Sequence, residues 1–254
     1  MKLSVVIITY NEERNIERCI LSAKDIADEI VVVDSFSTDR TEEICSRHRV
    51  NFIRHAFEGY IEQKNWAKDQ AKYDLVLSLD ADEALSEELR ASIHSVKQNP
   101  TFDGYYFNRL TNYCGKWIRH CGWYPDRKLR LWDRRKGTWK GENPHDEFFL
   151  EKGAKKQHLT GDLLHYSFYT VDQHIATINK FSSIKAKRMF DRKEKPYCLK
   201  VMFAPGFKFF RDYILKLGFL DGYFGYLICR NSAYSSFLKY AKLRALYKTE
   251  SKQP

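Results

Sequence analysis

Four short apolar runs, each followed by a polar cluster and then by a stretch of helical periodicity, limit the fold of this chain more than any other feature. Leu3–Ile8 is rich in β-branched residues, as expected of a strand buried on both faces. Asn11 stands where it can cap a helix whose Ile16, Ile20, Ala23 and Ile26 recur at helical spacing. A second run spans Glu29–Asp34, and Asp39 with Glu42 has the spacing of a capping box for a helix reaching His48. Val50–Ile53 predicts a third strand, Ile61–Ala71 a helix, and Leu75–Leu79 a fourth strand ending in Asp80. Ser86 then caps a helix over Glu87–Lys97. Strand alternates with helix over the first hundred residues, which predicts a parallel, doubly wound α/β sheet.

In open parallel sheets, ligands bind beyond the carboxyl ends of the strands. Three of those ends carry polar clusters: Thr9 to Glu12, Asp34 to Ser37, and Asp80 to Glu83. Residues 9–15 contain no glycine, which disfavours the dinucleotide-binding turn, and no P-loop occurs. Asp80 and Asp82 stand two apart, so an extended backbone puts both carboxylates on one side. Two close like charges are costly unless a cation joins them, and hard oxygen ligands suit Mg²⁺ or Mn²⁺ with positions left for phosphate oxygens. The plainer alternative is an acidic turn capping the next helix. Placement at the fourth strand of a glycine-poor sheet favours the metal.

Beyond Pro100 the pattern changes. Gly104–Leu110 and Lys128–Trp132 predict strands, residues 134–147 read as polar loop, a helix runs from Val171 to Arg192, and the last fifty residues are helical in pattern. The charge changes as well. Residues 1–100 hold 13 Lys and Arg against 19 Asp and Glu, whereas residues 101–254 hold 30 against 14, so the second part faces something anionic. Between residues 199 and 246 aromatics alternate with lysine and arginine, as in a helix lying in a membrane interface, with breaks expected at Pro205-Gly206 and Leu217-Gly218. Packing of those aromatics on the catalytic core is the competing reading. No nucleic-acid-binding module is recognisable. No window holds the roughly 20 apolar residues of a spanning helix. The N-terminal run is too short for a signal peptide, which predicts a cytosolic chain. The six cysteines form no CxxC; Cys114, His120 and Cys121 lack a fourth zinc ligand at suitable spacing.

The segments SVVIITYNEERNI, EIVVVDSFSTDRTEEI, QKNWAKDQA and YDLVLSLDADE, in that order, resemble the donor half of the family 2 glycosyltransferases. KLRLWDRR, ENPHDE and GFLDGYFGY extend the resemblance over most of the chain, toward the subgroup that adds sugars to the lipopolysaccharide inner core, including the heptose β-1,4-glucosyltransferases. The resemblance implies a GT-A fold with a Rossmann-like nucleotide-binding half, a divalent metal (Mg²⁺ or Mn²⁺), and inverting transfer from a nucleotide-sugar donor such as a UDP-hexose. A lipid-anchored glycan would be the acceptor. Residues 1–195 would form the transferase domain, with a donor half over 1–100 and an acceptor half over 101–195. Residues 196–254 would be a helical extension against an anionic membrane surface, placing the chain on the cytoplasmic face of the inner membrane.

By motif, the resemblance places Thr9, Tyr10, Asn11 and Glu12 around the nucleotide, Asp34 on the base, and Lys64 with Asn65 near the nucleotide or diphosphate. Asp80, Ala81 and Asp82 form the metal-diphosphate clamp, with Asp82 the direct ligand and Asp80 on ribose or metal. Separately from the resemblance, Arg127, Lys128 and Arg130 form a basic trio suited to donor diphosphate or a phosphorylated acceptor, with solvation on the strand face the alternative and the preferred reading for Lys128. Inverting transfer also needs a base. Related enzymes carry a His-acid pair where this chain has His145-Asp146-Glu147. Asp146 is preferred, with His145 orienting it, and Glu147 and then Glu142 are the alternatives. A non-catalytic basic binding protein on a degenerate transferase fold is the reading of another class. A nucleotidyltransferase lacks its glycine-rich N-terminal loop here.

Overall fold

The structure, a computed structural model, describes residues 1–142, 145–195 and 197–250. By internal contacts the chain forms two compact units, Met1–Leu110 with Asp126–Tyr166, and Thr111–Pro125 with Ser167–Pro254.

In chain order the elements are β1 (Leu3–Thr9), α1 (Ile16–Ala23), β2 (Glu29–Asp34), α2 (Thr41–Arg47), β3 (Asn51–Arg54), α3 (Tyr60–Asp69) and β4 (Leu75–Asp80). β5 (Glu83–Leu85), α4 (Glu87–Gln98), β6 (Gly104–Tyr113), β7 (Lys116–Ile118), β8 (Asp126–Asp133), β9 (Gly137–Glu142), β10 (His145–Leu150) and β11 (Lys156–Phe168) follow. The sheet order is β3-β2-β1-β4-β8-β6-β11-β5. The first four strands are parallel and doubly wound, and β8 continues the sheet antiparallel to β4.

Period two along β1 explains why its residues are nearly all apolar. Leu3, Val5 and Ile7 pack beneath α1 and α4 with Ile16, Ile20, Leu89 and Ile93, while Val6 faces Val31, Val33, Ala67, Trp132, Trp139 and Phe148 on the other side. The Ser86 hydroxyl accepts from Leu89 N at 3.2 Å, capping α4 as expected.

Three local expectations are corrected. Asn11 does not cap α1, which begins five residues later. It sits at φ 53°, and its Oδ1 accepts from Thr38 N at 2.8 Å, tying the loop after β1 to the loop after β2. Asp39 and Glu42 do not form a capping box. Asp39 Oδ1 accepts from Thr41 N at 3.0 Å, its Oδ2 accepts from Glu13 N at 3.0 Å, and Glu42 pairs with Arg54. The expected loop over 134–147 is largely the antiparallel hairpin β9–β10, in which Glu147 lies opposite Lys140 and Phe148 opposite Trp139. A hairpin with one polar face carries too few apolar residues to register as strand by composition.

The second unit contains α5 (Val171–Asp191), α6 (Cys198–Phe210) and α7 (Gly222–Glu250). Its core joins Tyr113, Ile118, Cys121, Ile228 and Cys229. Buried Asp221 accepts from His120 N at 2.8 Å and pairs with the His120 ring, which gives that histidine a structural partner. α6 runs through Pro205-Gly206 without a break, whereas Leu217, at φ 54°, does end the helical run before α7. Among the described residues no helix is long and apolar enough to cross a membrane.

Candidate active site

Strand register sets the first layer of the site. Thr9 lies opposite Asp34, and Ile8 opposite Asp80, so the ends of β1, β2 and β4 stop at one level. At that edge Thr9 is buried, Tyr10 and Asn11 are exposed, and Ala81 is buried with its N–H on Ile8 O at 3.2 Å. Asp34 is buried and accepts from both Ser37 N, at 2.8 Å, and the Ser37 hydroxyl.

A cluster of charges occupies the centre. Asp80 Oδ2 accepts from Arg130 Nη2 at 2.8 Å, and the same Nη2 lies 3.1 Å from Glu83 Oε1. Lys64 Nζ lies 3.0 Å from Asp80 Oδ1 and 2.7 Å from Asp146 Oδ2, joining the end of β4 to the hairpin. Glu83 Oε2 accepts from Asp80 N at 2.9 Å. Both cations stand over the Trp139 ring, Lys64 Nζ at 4.7 Å and Arg130 Cζ at 5.5 Å from its centroid. Burial pushes the Asp80 carboxyl up, but Arg130 and Lys64 outweigh it and hold it well below the usual carboxylate range. Lys64 is only 5% exposed, and Arg130 is 3% exposed. Two buried nitrogens of Arg130, Nε and Nη1, have no hydrogen-bond partner among the described residues.

The hairpin separates the candidate bases. Successive strand residues face opposite ways, so Asp146 enters the cluster while Glu147 is exposed on the other face. The side chains of Glu142 and His145 lie outside the described residues. Asn65 holds the hairpin in place. Its Oδ1 accepts from Thr138 Oγ1 at 2.8 Å and Trp139 N at 2.9 Å, and its Nδ2 donates to Trp139 O at 3.0 Å. Its amide therefore completes β9 rather than reaching for a nucleotide. Asn65→Ala is expected to lower stability by about 1–3 kcal/mol, measured by urea unfolding, because it strands buried backbone groups of β9.

Asp82 is placed differently from Asp80. Its Oδ2 lies 3.1 Å from His165 Nε2, and both side chains are partly open to solvent. His165 is absent from the sequence reading. It is 83 residues from Asp82 and arrives through β11, where it pairs opposite Glu83 of β5. Among the described residues, no three His, Cys, Asp or Glu side chains converge as a complete metal site. The donor set does fit a cation with open positions: one carboxylate and one imidazole come from the protein, and phosphate oxygens and water can fill the rest. Asp80, with Lys64 and Arg130 on its oxygens, fits that duty less well.

Glu12 lies in the field of Asp82. Its pKa is raised to about 7, first by burial and then by the nearby Asp82 and Asp39 charges, against a hydrogen bond from Asn15 Nδ2 at 2.7 Å. A carboxyl whose folded pKa is raised favours folding at low pH, and that contribution is lost as pH rises through about 7. Glu12→Gln keeps an acceptor for Asn15 and removes the charge. It should therefore raise stability at pH 8 by on the order of 1–3 kcal/mol and leave it nearly unchanged at pH 4. Thermal melts at the two pH values check this.

Residues 4–159 match the family model described as Glycosyl transferase family 2. An uncharacterized glycosyltransferase of Rickettsia bellii (strain RML369-C) is 32% identical over 255 residues, which cover 96% of this chain and 87% of the relative. The lipopolysaccharide core biosynthesis glycosyltransferase LpsC of Rhizobium meliloti (strain 1021) is 30% identical over 254 residues, covering 96% and 92%. The crystal structure of S. aureus TarS 1–349 aligns over 100% of this chain and 92% of that one, at 16% identity and a TM-score of 0.47. With a family match over more than half its length and such identity to relatives across nearly all of it, this chain belongs to glycosyl transferase family 2.

Proposed function

We propose that this transferase moves a hexosyl group, with inversion, from a UDP-sugar to a lipid-anchored glycan such as the lipopolysaccharide core. It would work as a peripheral protein on the cytoplasmic face of the inner membrane. The observation that carries the chemistry is Asp146, a carboxylate on the β9–β10 hairpin held 2.7 Å from the same Lys64 that touches Asp80. A base on one element thus stands beside the strand end where a donor diphosphate belongs. The likeness to LpsC supports the acceptor class.

In the proposed step, an acceptor hydroxyl oxygen bonds to the anomeric carbon from the side opposite the diphosphate. The bond from that carbon to the diphosphate oxygen breaks, and its electron pair leaves with the nucleoside diphosphate. Asp146 takes the hydroxyl proton, and Lys64 holds that carboxylate in place. Asp82 and His165 are the residues that would hold Mg²⁺ or Mn²⁺, which when bound supplies positive charge to the leaving diphosphate. The two nitrogens of Arg130 without a partner among the described residues add donors near the same edge. Thr9, Glu12 and Asp34 line the level at which the nucleoside would sit.

The charge cluster favours turnover over a non-catalytic basic protein that binds membrane or nucleic acid, for which no such grouping is needed. A panel of nucleotide sugars tests the reading, with Mn²⁺ or with chelator and with a core-glycan acceptor. Metal-dependent release of the nucleoside diphosphate, and a product of inverted anomeric configuration by NMR, are the expected results. Absence of metal-dependent donor binding across the panel would overturn it.

A further inference from the structure

α6 is built inside out for a helix of a water-soluble fold. None of its residues is buried. Leu199, Met202, Phe203, Phe207 and Phe210 recur at spacings of three and four, and Ile214 continues the row, all between 43% and 70% exposed. At about 100° per residue, the five on α6 fall within one face, and Lys200 and Arg211 fall at one edge of it. Arg230 of α7 stands at the other edge, its guanidinium 6.0 Å from the centroid of the Phe209 ring.

The charges of this stretch are equally one-sided. Tyr197 to Thr249 contains nine Lys and Arg and two acids, Asp212 and Asp221, and both acids are buried. Asp212 is held by Lys208 and by Arg211 Nε at 2.9 Å, and Asp221 by His120. Every outward formal charge on the described residues of the stretch is therefore positive. Met202 also lines a groove of about 400 Å³ between α6 and α7, walled by Val201, Pro205, Ala233 and Phe237, with Arg230 as its one charged lining residue.

We infer that this face of α6 is a docking surface for an anionic phospholipid bilayer. The helix lies in the interfacial plane with Phe203 and Phe207 inserted, and the α6–α7 groove takes an acyl chain beneath a phosphate held by Arg230. The inference deepens the membrane-peripheral reading above and rests on it. An exposed aromatic stripe between cationic edges matches the two layers of a bilayer surface, apolar below and anionic above. The aromatics of this segment divide accordingly. Phe209, Tyr213 and Phe224 pack against the core of the second unit, while Phe203 and Phe207 are each 64% exposed.

The test uses the full chain and its Phe203→Ser/Phe207→Ser double variant, with sedimentation on phosphatidylcholine vesicles alone or with roughly 30% phosphatidylglycerol. The wild-type protein should bind the anionic vesicles at least about tenfold better than the neutral ones, weakening with salt without being abolished. The double variant, whose altered side chains leave the core intact, should keep the wild-type melting temperature and lose about tenfold or more of that binding. Wild-type protein that stays in solution with both vesicles overturns the inference. So does a double variant that binds as tightly as wild type, which would leave peripheral binding standing and place it elsewhere. Self-association that the double variant abolishes, without vesicle binding, would assign the face to a second copy and also overturn it. Transfer to a delipidated, water-soluble acceptor should be unchanged in the double variant. That readout separates failure of this surface from failure of the transferase reading.

Discussion

Asp146→Asn is expected to lower kcat by roughly 10²–10⁴-fold while barely changing donor affinity, because a general base acts only in the transition state. The substitution keeps the shape of the side chain, and Lys64 retains Asp80 at 3.0 Å as a partner, so the hairpin should hold. Steady-state kinetics with donor binding measured separately would check it. Glu147→Gln is the control, since Glu147 is exposed on the opposite face of β10 and should change kcat little. The reverse pattern, with Glu147→Gln inactive and Asp146→Asn near wild type, would move the base to the neighbour.

Asp82→Asn should reduce transfer by about 10³-fold or more even at saturating Mn²⁺, because the amide is a far weaker ligand than the carboxylate. His165→Ala should act on the same cation from the other side, raising the Mn²⁺ needed for half-maximal donor binding by roughly 10–100-fold. Calorimetric titration of donor in varied Mn²⁺ reads this without turnover. If His165→Ala leaves the metal requirement unaltered, the 3.1 Å contact with Asp82 is only a structural hydrogen bond. Wild-type transfer by Asp82→Asn would remove the clamp assignment altogether.

These two predictions differ in how far the sequence leads to them. Asp82 is legible as a candidate from local pattern, since an apolar run must be a buried strand and acids follow at its end, although Asp82 lies in the turn after β4 and so does not share one side with Asp80. His165 has no such signal. A histidine within a mixed strand reads as ordinary until β11 pairs with β5 and sets it opposite Glu83.

Much of the fold was readable for the same local reason. Residues three to nine, 29 to 34 and 75 to 80 are strands because their burial on both faces demands unbroken apolar sequence, and Ser86 announces the start of α4 by its own hydroxyl. The hairpin β9–β10 was not readable, because its strands are held by cross-strand pairing and by Asn65 on α3. Nor was the burial of Lys64 and Arg130. Charged side chains read as solvated in a sequence, and only partners 82 and 50 residues away make it tolerable to bury them.

The sequence by itself determined the order of strands and helices in the donor half and the two carboxylates at the end of β4 and in the turn just beyond it. Those follow from periodicity and backbone geometry within a few residues. The tertiary structure decided which of several acids faces the cluster, which histidine meets Asp82, and which aromatics of the C-terminal helices enter a core and which stay outside. Each of these is a contact between residues distant in the chain, and its identity depends on packing and pairing that no local pattern encodes.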